Sequence, residues 1–248
     1  MSTPSTSAAV VTGAGSGIGL ATGRRLLREG FSVVGVDRDD AGLDRASAEG
    51  MTPLKADLGS TEDRDRVVQA AQASRYLVNA AGIIVLKPIL EVTIADLENV
   101  YRVNVQAVWD LTARIGAAMS PGSAIVNLSS SSAKLASTTE AAAYASTKAA
   151  VLSLTRSFAY AFAEKDVRVN AVCPGIIDTP MQDAVLAKVA AARGMDVADL
   201  VAARNSTVPL KRAATADECA ATIWFLLSPE SSYMTGQAIN VTGGLVMH

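Results

Sequence analysis

The 248-residue chain is half hydrophobic, 19% charged and 4% aromatic, a balance that suits a compact interior of small apolar side chains and argues against disorder. Its net charge of -2, pI near 5.5 and evenly spread Lys and Arg give no electrostatic footprint for nucleic acid or an anionic membrane. Two distant cysteines, Cys173 and Cys219, and one histidine, His248, argue against a zinc site and a Ser-His-Asp triad, so no metal is expected.

Residues 1–7 carry no basic leader, and no apolar run reaches the roughly 18 residues of a membrane span, so a cytoplasmic protein is expected. Residues 8–11 read as a short strand that ends in Thr12-Gly13-Ala14-Gly15-Ser16-Gly17-Ile18-Gly19, and residues 20–29 as a helix closed by Gly30. Strand, glycine turn and helix N-terminus form a setting in which backbone N–H groups can approach a pyrophosphate, although such turns also serve for packing alone. A second apolar strand, 31–36, ends in Asp37, 18 residues after Gly19, where a carboxylate can accept from ribose hydroxyls and repel a 2′-phosphate. NAD is therefore the expected cofactor. Arg38 next to it could instead hold a 2′-phosphate.

The rhythm continues. A helix is predicted over 40–49, a strand over 51–55 followed by Asp57-Leu58, a helix over 60–73, and a strand over 76–79 followed by Ala80-Ala81-Gly82. Residues 95–119 carry the spacing of one long helix, with a break expected before Val103-Asn104-Val105. The strand 123–128 feeds into the serine run Ser129 to Ser132; 144–163 reads as a helix and 167–172 as a strand, with Pro174-Gly175 as a turn. The polar, alanine-rich stretch 178–212 is helical in pattern without bounding strands and reads as a covering lid. Thr215 with Glu218 forms a capping box for a helix over 215–227, and 237–241 is the last strand. Continuous apolar strands alternating with helices predict an α/β fold, a doubly wound parallel sheet in one domain.

Tyr144 and Lys148 lie four apart on a predicted helix, so a phenol and an ammonium share one face and the cation is expected to lower the phenol pKa from its usual value of about 10. That spacing alone is common. Together with TGAGSGIG, Asp57-Leu58, the Asn79 to Gly82 stretch, Asn104, the serine run and Pro174-Gly175, in this order, the sequence resembles the short-chain dehydrogenase/reductase family from Thr12 to Gly244. The resemblance implies a seven-stranded Rossmann sheet and a homotetramer, often built through the two long helices.

It also implies roles. Tyr144 is the acid/base, Lys148 tunes it and holds the nicotinamide ribose, a serine binds the substrate oxygen, and Asn104 anchors a water leading to Lys148. Gly13, Gly17, Ile18 and Gly19 would meet the pyrophosphate, Asp57 and Leu58 the adenine, Asn79 and Gly82 the ribose, and Pro174, Ile177 and Thr179 the nicotinamide end, with the Ile177 amide on the carboxamide. Asp57 as a helix N-cap and Asn79 as a turn residue are the plainer readings. The usual second asparagine of the Asn-Asn-Ala-Gly stretch is Ala80. Counting thirteen back from Tyr144 reaches Ser131, whereas the strand end points to Ser130, which is preferred because a strand end fixes geometry and a loop absorbs an insertion.

The function expected is interconversion of a secondary alcohol and a ketone, acting on a small polyol or sugar, a hydroxy acid or a cyclic alcohol. NADPH-dependent reduction of a carrier-bound 3-oxoacyl group and a catalytically silent nucleotide-binding scaffold are the alternatives.

Overall fold

Residues 8–135 and 139–248 are described by a computed structural model; the segment read above as lacking a basic leader lies outside them. The strands and helices alternate as β1 (Ala8–Thr12), α1 (Gly17–Arg28), β2 (Ser32–Asp37), α2 (Asp40–Ala48), β3 (Thr52–Lys55), α3 (Thr61–Ala70) and β4 (Ser74–Asn79). They continue with α4 (Ile94–Tyr101), α5 (Ala107–Ala118), β5 (Ala124–Leu128), α6 (Ala142–Phe162), β6 (Arg168–Pro174), α7 (Pro180–Arg193), α8 (Val197–Ser206), α9 (Ala216–Leu227) and β7 (Ala238–Val241). All seven strands pair in parallel in the order β3-β2-β1-β4-β5-β6-β7. This is the doubly wound Rossmann sheet that the sequence predicts.

Successive strand residues point to opposite faces, so the central strands must be apolar on both. On β4, Tyr76 and Val78 enter the layer formed with Leu26 of α1 and Ile223, Leu226 and Leu227 of α9, while Leu77 enters the opposite layer with Leu111, Ile115 and Phe162. Phe31 and Trp224 pack on Tyr76 with ring centroids 4.9 and 6.2 Å away. A fully buried side chain of this size contributes about 1.5–3 kcal/mol. Two filled layers therefore hold the sheet rigid and leave its carboxyl edge free for chemistry.

That edge is aligned by register. Thr12 sits opposite Val36 and Asn79, Asn79 opposite Asn127, Leu128 opposite Val172, and Pro174 opposite Val241. Strand order reverses between β1 and β4, and open parallel sheets bind ligands in the crevice at such a switch point.

Two expectations are modified. The helix predicted over 95–119 is a continuous rod whose middle, Arg102–Gln106, is a π-turn rather than a break, and it holds Asn104 fully buried. The stretch 178–212 is two helices, α7 and α8, joined at Gly194 in the left-handed region and packed through Leu186, Ala190 and Leu200. The capping box at Thr215 and Glu218 forms as read. No described helix is long and apolar enough to cross a membrane.

Candidate active site

A cavity of about 560 Å³ runs along the carboxyl edge, from the β1–α1 turn past β4 and β5 to α7 and α8. Gly13, Gly17, Ile18 and Gly19 line one end. At Gly19 any Cβ would lie 2.0 Å from the Gly13 carbonyl oxygen, so the turn closes this tightly only around glycine. Ser16 caps α1 with extended backbone and makes no side-chain cap bond. The first N–H groups of a helix have no intrahelical acceptor, and with the positive end of the helix dipole they make this turn an anion site.

Asp37 ends β2 against the same turn. Its Oδ2 accepts from the Gly15 N–H at 2.9 Å, and its Oδ1 accepts from the N–H groups of Arg38 and Asp39 at 2.8 and 3.1 Å. The Gly15 carbonyl in turn accepts from Arg45 Nε at 3.0 Å, and a Cβ on Gly15 would come within 2.7 Å of the Gly42 Cα. The carboxylate is thus fixed before any ligand arrives. Asp57 and Leu58 follow on the cavity wall; Asp57 Oδ1 accepts from the Gly59 N–H at 2.9 Å, and the N-cap of α3 is Ser60, not Asp57.

Asn79 requires a correction. Its side chain is 2% exposed and turns away from the cavity, donating to Asn127 Oδ1 at 2.8 Å and Thr112 Oγ1 at 3.0 Å, while Asn127 donates to Thr155 Oγ1 at 3.0 Å. The alternation of the strand explains this, since the last residue of β4 faces the α5 and α6 layer. Thr12, to which the sequence gives no role, shapes the cavity wall instead. Its hydroxyl accepts from the N–H groups of Ala80 and Ala81, both at 3.1 Å, and so sets the turn that leads to Gly82.

At the far end stand the predicted catalytic residues. Ser130, Ser131 and Tyr144 all line this end; Ser130 Oγ accepts from the Ser132 N–H at 3.1 Å, and the Ser130 side chain is the one that acts to lower the phenol pKa. Lys148 is 4% exposed; its Nζ donates to the Leu128 carbonyl at 2.8 Å and lies 5.6 Å from the Tyr144 ring centroid. Ser129 donates to the Lys148 carbonyl at 2.8 Å, which ties the β5 end to α6. Asn104 acts as a two-point clamp: Oδ1 accepts from the Ile83 N–H and Nδ2 donates to the Ile83 carbonyl, each at 2.9 Å. The same Nδ2 donates to Thr147 Oγ1 at 3.1 Å, and Thr147 donates to the Tyr144 carbonyl at 2.7 Å. The π-turn that bulges the helix is what carries Asn104 to these partners.

The electrostatics differ from the expectation that the ammonium lowers the phenol pKa. Burial raises Tyr144 above its usual value, partly offset by the Ser130 hydrogen bond, while burial pushes Lys148 down to about 8. Both groups therefore pay for desolvation first. Pro174, Ile177 and Thr179 line the cavity between β6 and α7, and Ile177 is held by a parallel bridge to Ala214. Thr179 is the N-cap of α7, yet its hydroxyl makes no cap bond and donates instead to the Ile177 carbonyl at 3.5 Å. On α7 and α8 the wall includes Gln182 and Arg204, and Arg204, at position 204 in a stretch without apolar rhythm, gave no signal in the sequence.

A family model described as "Enoyl-(Acyl carrier protein) reductase" matches residues 13–246. The chain is 35% identical over 251 residues to the 3-oxoacyl-[acyl-carrier-protein] reductase of Thermotoga maritima, covering 96% of this chain and 97% of that one. It is also 35% identical over 246 residues to the L-tagatose-forming galactitol 2-dehydrogenase of Cereibacter sphaeroides, covering 95% and 93%. A short chain dehydrogenase family protein from Francisella tularensis superposes with a TM-score of 0.90 at 29% identity, covering 97% of this chain and 99% of that one. With the fold, the cavity and these likenesses in agreement along nearly its whole length, the chain belongs to the short-chain dehydrogenase/reductase family.

Proposed function

We propose that the chain is an NAD-dependent oxidoreductase that interconverts a secondary alcohol and a ketone. The observation that carries this reading is the gathering of Ser130, Tyr144 and the buried Lys148 at one end of a cavity that continues to an anion-accepting helix end. The residues suit a nicotinamide dinucleotide. The open first turn of α1 with Ile18 would hold the pyrophosphate, Asp37 the adenosine ribose, Asp57 and Leu58 the adenine, Gly82 and Lys148 the nicotinamide ribose, and Pro174, Ile177 and Thr179 the nicotinamide. When bound, the cofactor gives or takes the hydride.

The protein's own part is the proton. Tyr144 Oη delivers it to a carbonyl oxygen during reduction and removes it from a hydroxyl during oxidation, while Ser130 Oγ hydrogen-bonds the same oxygen. A phenol raised by burial rests protonated at neutral pH, which suits reduction. Oxidation needs the phenolate, which the Ser130 hydrogen bond favours. Asn104 contributes position: it holds Ile83 and Thr147, and through them the wall opposite Lys148 and the first turn of α6.

The test is Tyr144→Phe, assayed for alcohol oxidation and ketone reduction with NAD and NADP in parallel. Turnover of the variant should vanish while its NADH dissociation constant stays unchanged; retained turnover would refute the proton role, and equal efficiency of the wild type with both cofactors would refute the role of Asp37. Reduction of a carrier-bound 3-oxoacyl group with NADPH is the second reading, favoured by the Thermotoga maritima relative and by Arg38 beside Asp37. Exposed Trp109 on α5 and Tyr160 on α6, 55% and 90% accessible, support a homotetramer, which sedimentation tests.

A further inference from the structure

The charged side chains that line the cavity are segregated. Asp37, Arg38 and Asp57 stand at the β2 and β3 end, whereas among the described residues the catalytic and α8 end holds two, Lys148 and Arg204, both cationic. Lys148 is already committed to the Leu128 carbonyl. Arg204 is not committed to any carboxylate: among the described residues its guanidinium donates once, from Nη2 to Gln182 Oε1 at 2.6 Å, and forms no ion pair. A guanidinium offers five N–H donors in a rigid fork, so beyond the bond to Gln182 most of its donors remain for a ligand. Burial pushes its pKa down, and no nearby acid offsets that cost.

We propose that Arg204 receives the carboxylate of the substrate, so that the enzyme acts on a small hydroxy acid and its oxo acid. This rests on the oxidoreductase reading of the same site and narrows it to one substrate class. A single free cation matches a single negative charge, and a planar carboxylate is the group a guanidinium grips with two parallel hydrogen bonds. Met181, Val185 and Leu245 line the same cavity and supply apolar surface for a carbon skeleton. Gln182 serves as the positioning residue, since its Oε1 orients the fork.

The experiment compares 2- and 3-hydroxy carboxylates such as lactate and 3-hydroxybutyrate with their methyl esters and with 2-butanol and cyclohexanol, using NAD and NADP. The wild type should favour an acid over its ester by about 10- to 100-fold in kcat/KM, the worth of a charge-assisted hydrogen bond. Arg204→Met should erase that preference by raising KM for the acid with kcat nearly unchanged, Arg204→Lys should restore part of it, and the NADH dissociation constant should not move. The acid-to-ester comparison needs no variant, so it stands even if Arg204→Met folds poorly. Turnover of esters and uncharged alcohols as efficient as that of acids overturns the carboxylate role and leaves the oxidoreductase reading intact. Equal loss on acid and ester in Arg204→Met, or weakened NADH binding instead, assigns Arg204 to the scaffold or the nucleotide and also overturns it. Failure to turn over any alcohol with either cofactor overturns both readings.

Discussion

Replacing Lys148 with methionine should change the way stability depends on pH. Burial holds the Lys148 ammonium near a pKa of about 8 instead of 10.5, and the unfolded chain restores the ordinary value. The difference corresponds to about 3 kcal/mol at roughly 1.4 kcal/mol per pH unit. The direction follows from proton counting. Below pH 8 both states carry the charge, so the wild type bears the full burial cost. Between pH 8 and 10.5 the folded state sheds its proton while the unfolded state keeps it, and stability rises with pH.

Relative to Lys148→Met, the wild type should therefore gain about 2 kcal/mol between pH 7 and pH 9.5. Tyr144, whose pKa burial raises, acts in the opposite sense as pH climbs above its ordinary value, but it is present in both proteins and cancels in the difference. Cys173, raised by burial and partly lowered by the Lys148 charge, titrates with Lys148 as a pair and enters the difference with it. The lost Nζ to Leu128 hydrogen bond shifts the two curves by about 1 kcal/mol without changing their slope. Urea midpoints for both proteins, measured without nucleotide at one protein concentration from pH 7 to 9.5, provide the assay. Parallel stability curves across that range would refute the account of a buried, titrating lysine.

Asn104→Ala should destabilise the fold by about 2–4 kcal/mol, because it strands the Ile83 N–H and carbonyl, and it should lower kcat more than it weakens NADH binding; urea unfolding and steady-state kinetics measure both. Gly19→Ala should abolish NADH binding in a protein that otherwise keeps its far-UV circular dichroism, since the added methyl would collide with the Gly13 carbonyl, and fluorescence titration with NADH reads the loss.

The sheet was legible because its central strands, β1, β4, β5 and β6, are buried on both faces and so read as largely apolar runs between turn residues, with Thr215 and Glu218 marking a helix start by chemistry alone. The π-turn was not legible: a single extra residue in 102–106 leaves the flanking helical rhythm almost unchanged, and only the buried contacts of Asn104 reveal it. The direction of Asn79 depends on which face the last residue of a strand meets, and a shift of one residue in register would reverse it. Ser130 and Ser131 are indistinguishable as letters and both line the cavity, and only the effect of the Ser130 side chain on the phenol pKa separates them. Arg204 lies 60 residues beyond Tyr144 on a helix without apolar periodicity, so nothing local joins it to the cavity.

The anchoring of Asp37 bears on how such a protein can change over generations. The side chain proposed to discriminate among nucleotides is also the acceptor for the Gly15 N–H, in a turn wedged against Gly42 and held on its other side by Arg45. A single replacement that removes every side-chain acceptor at this position would, on that reading, alter recognition and loosen the turn together. Descendants with a different nucleotide preference would have to acquire a second change that satisfies Gly15, or pass through Asp37→Asn, which keeps an oxygen while giving up the charge.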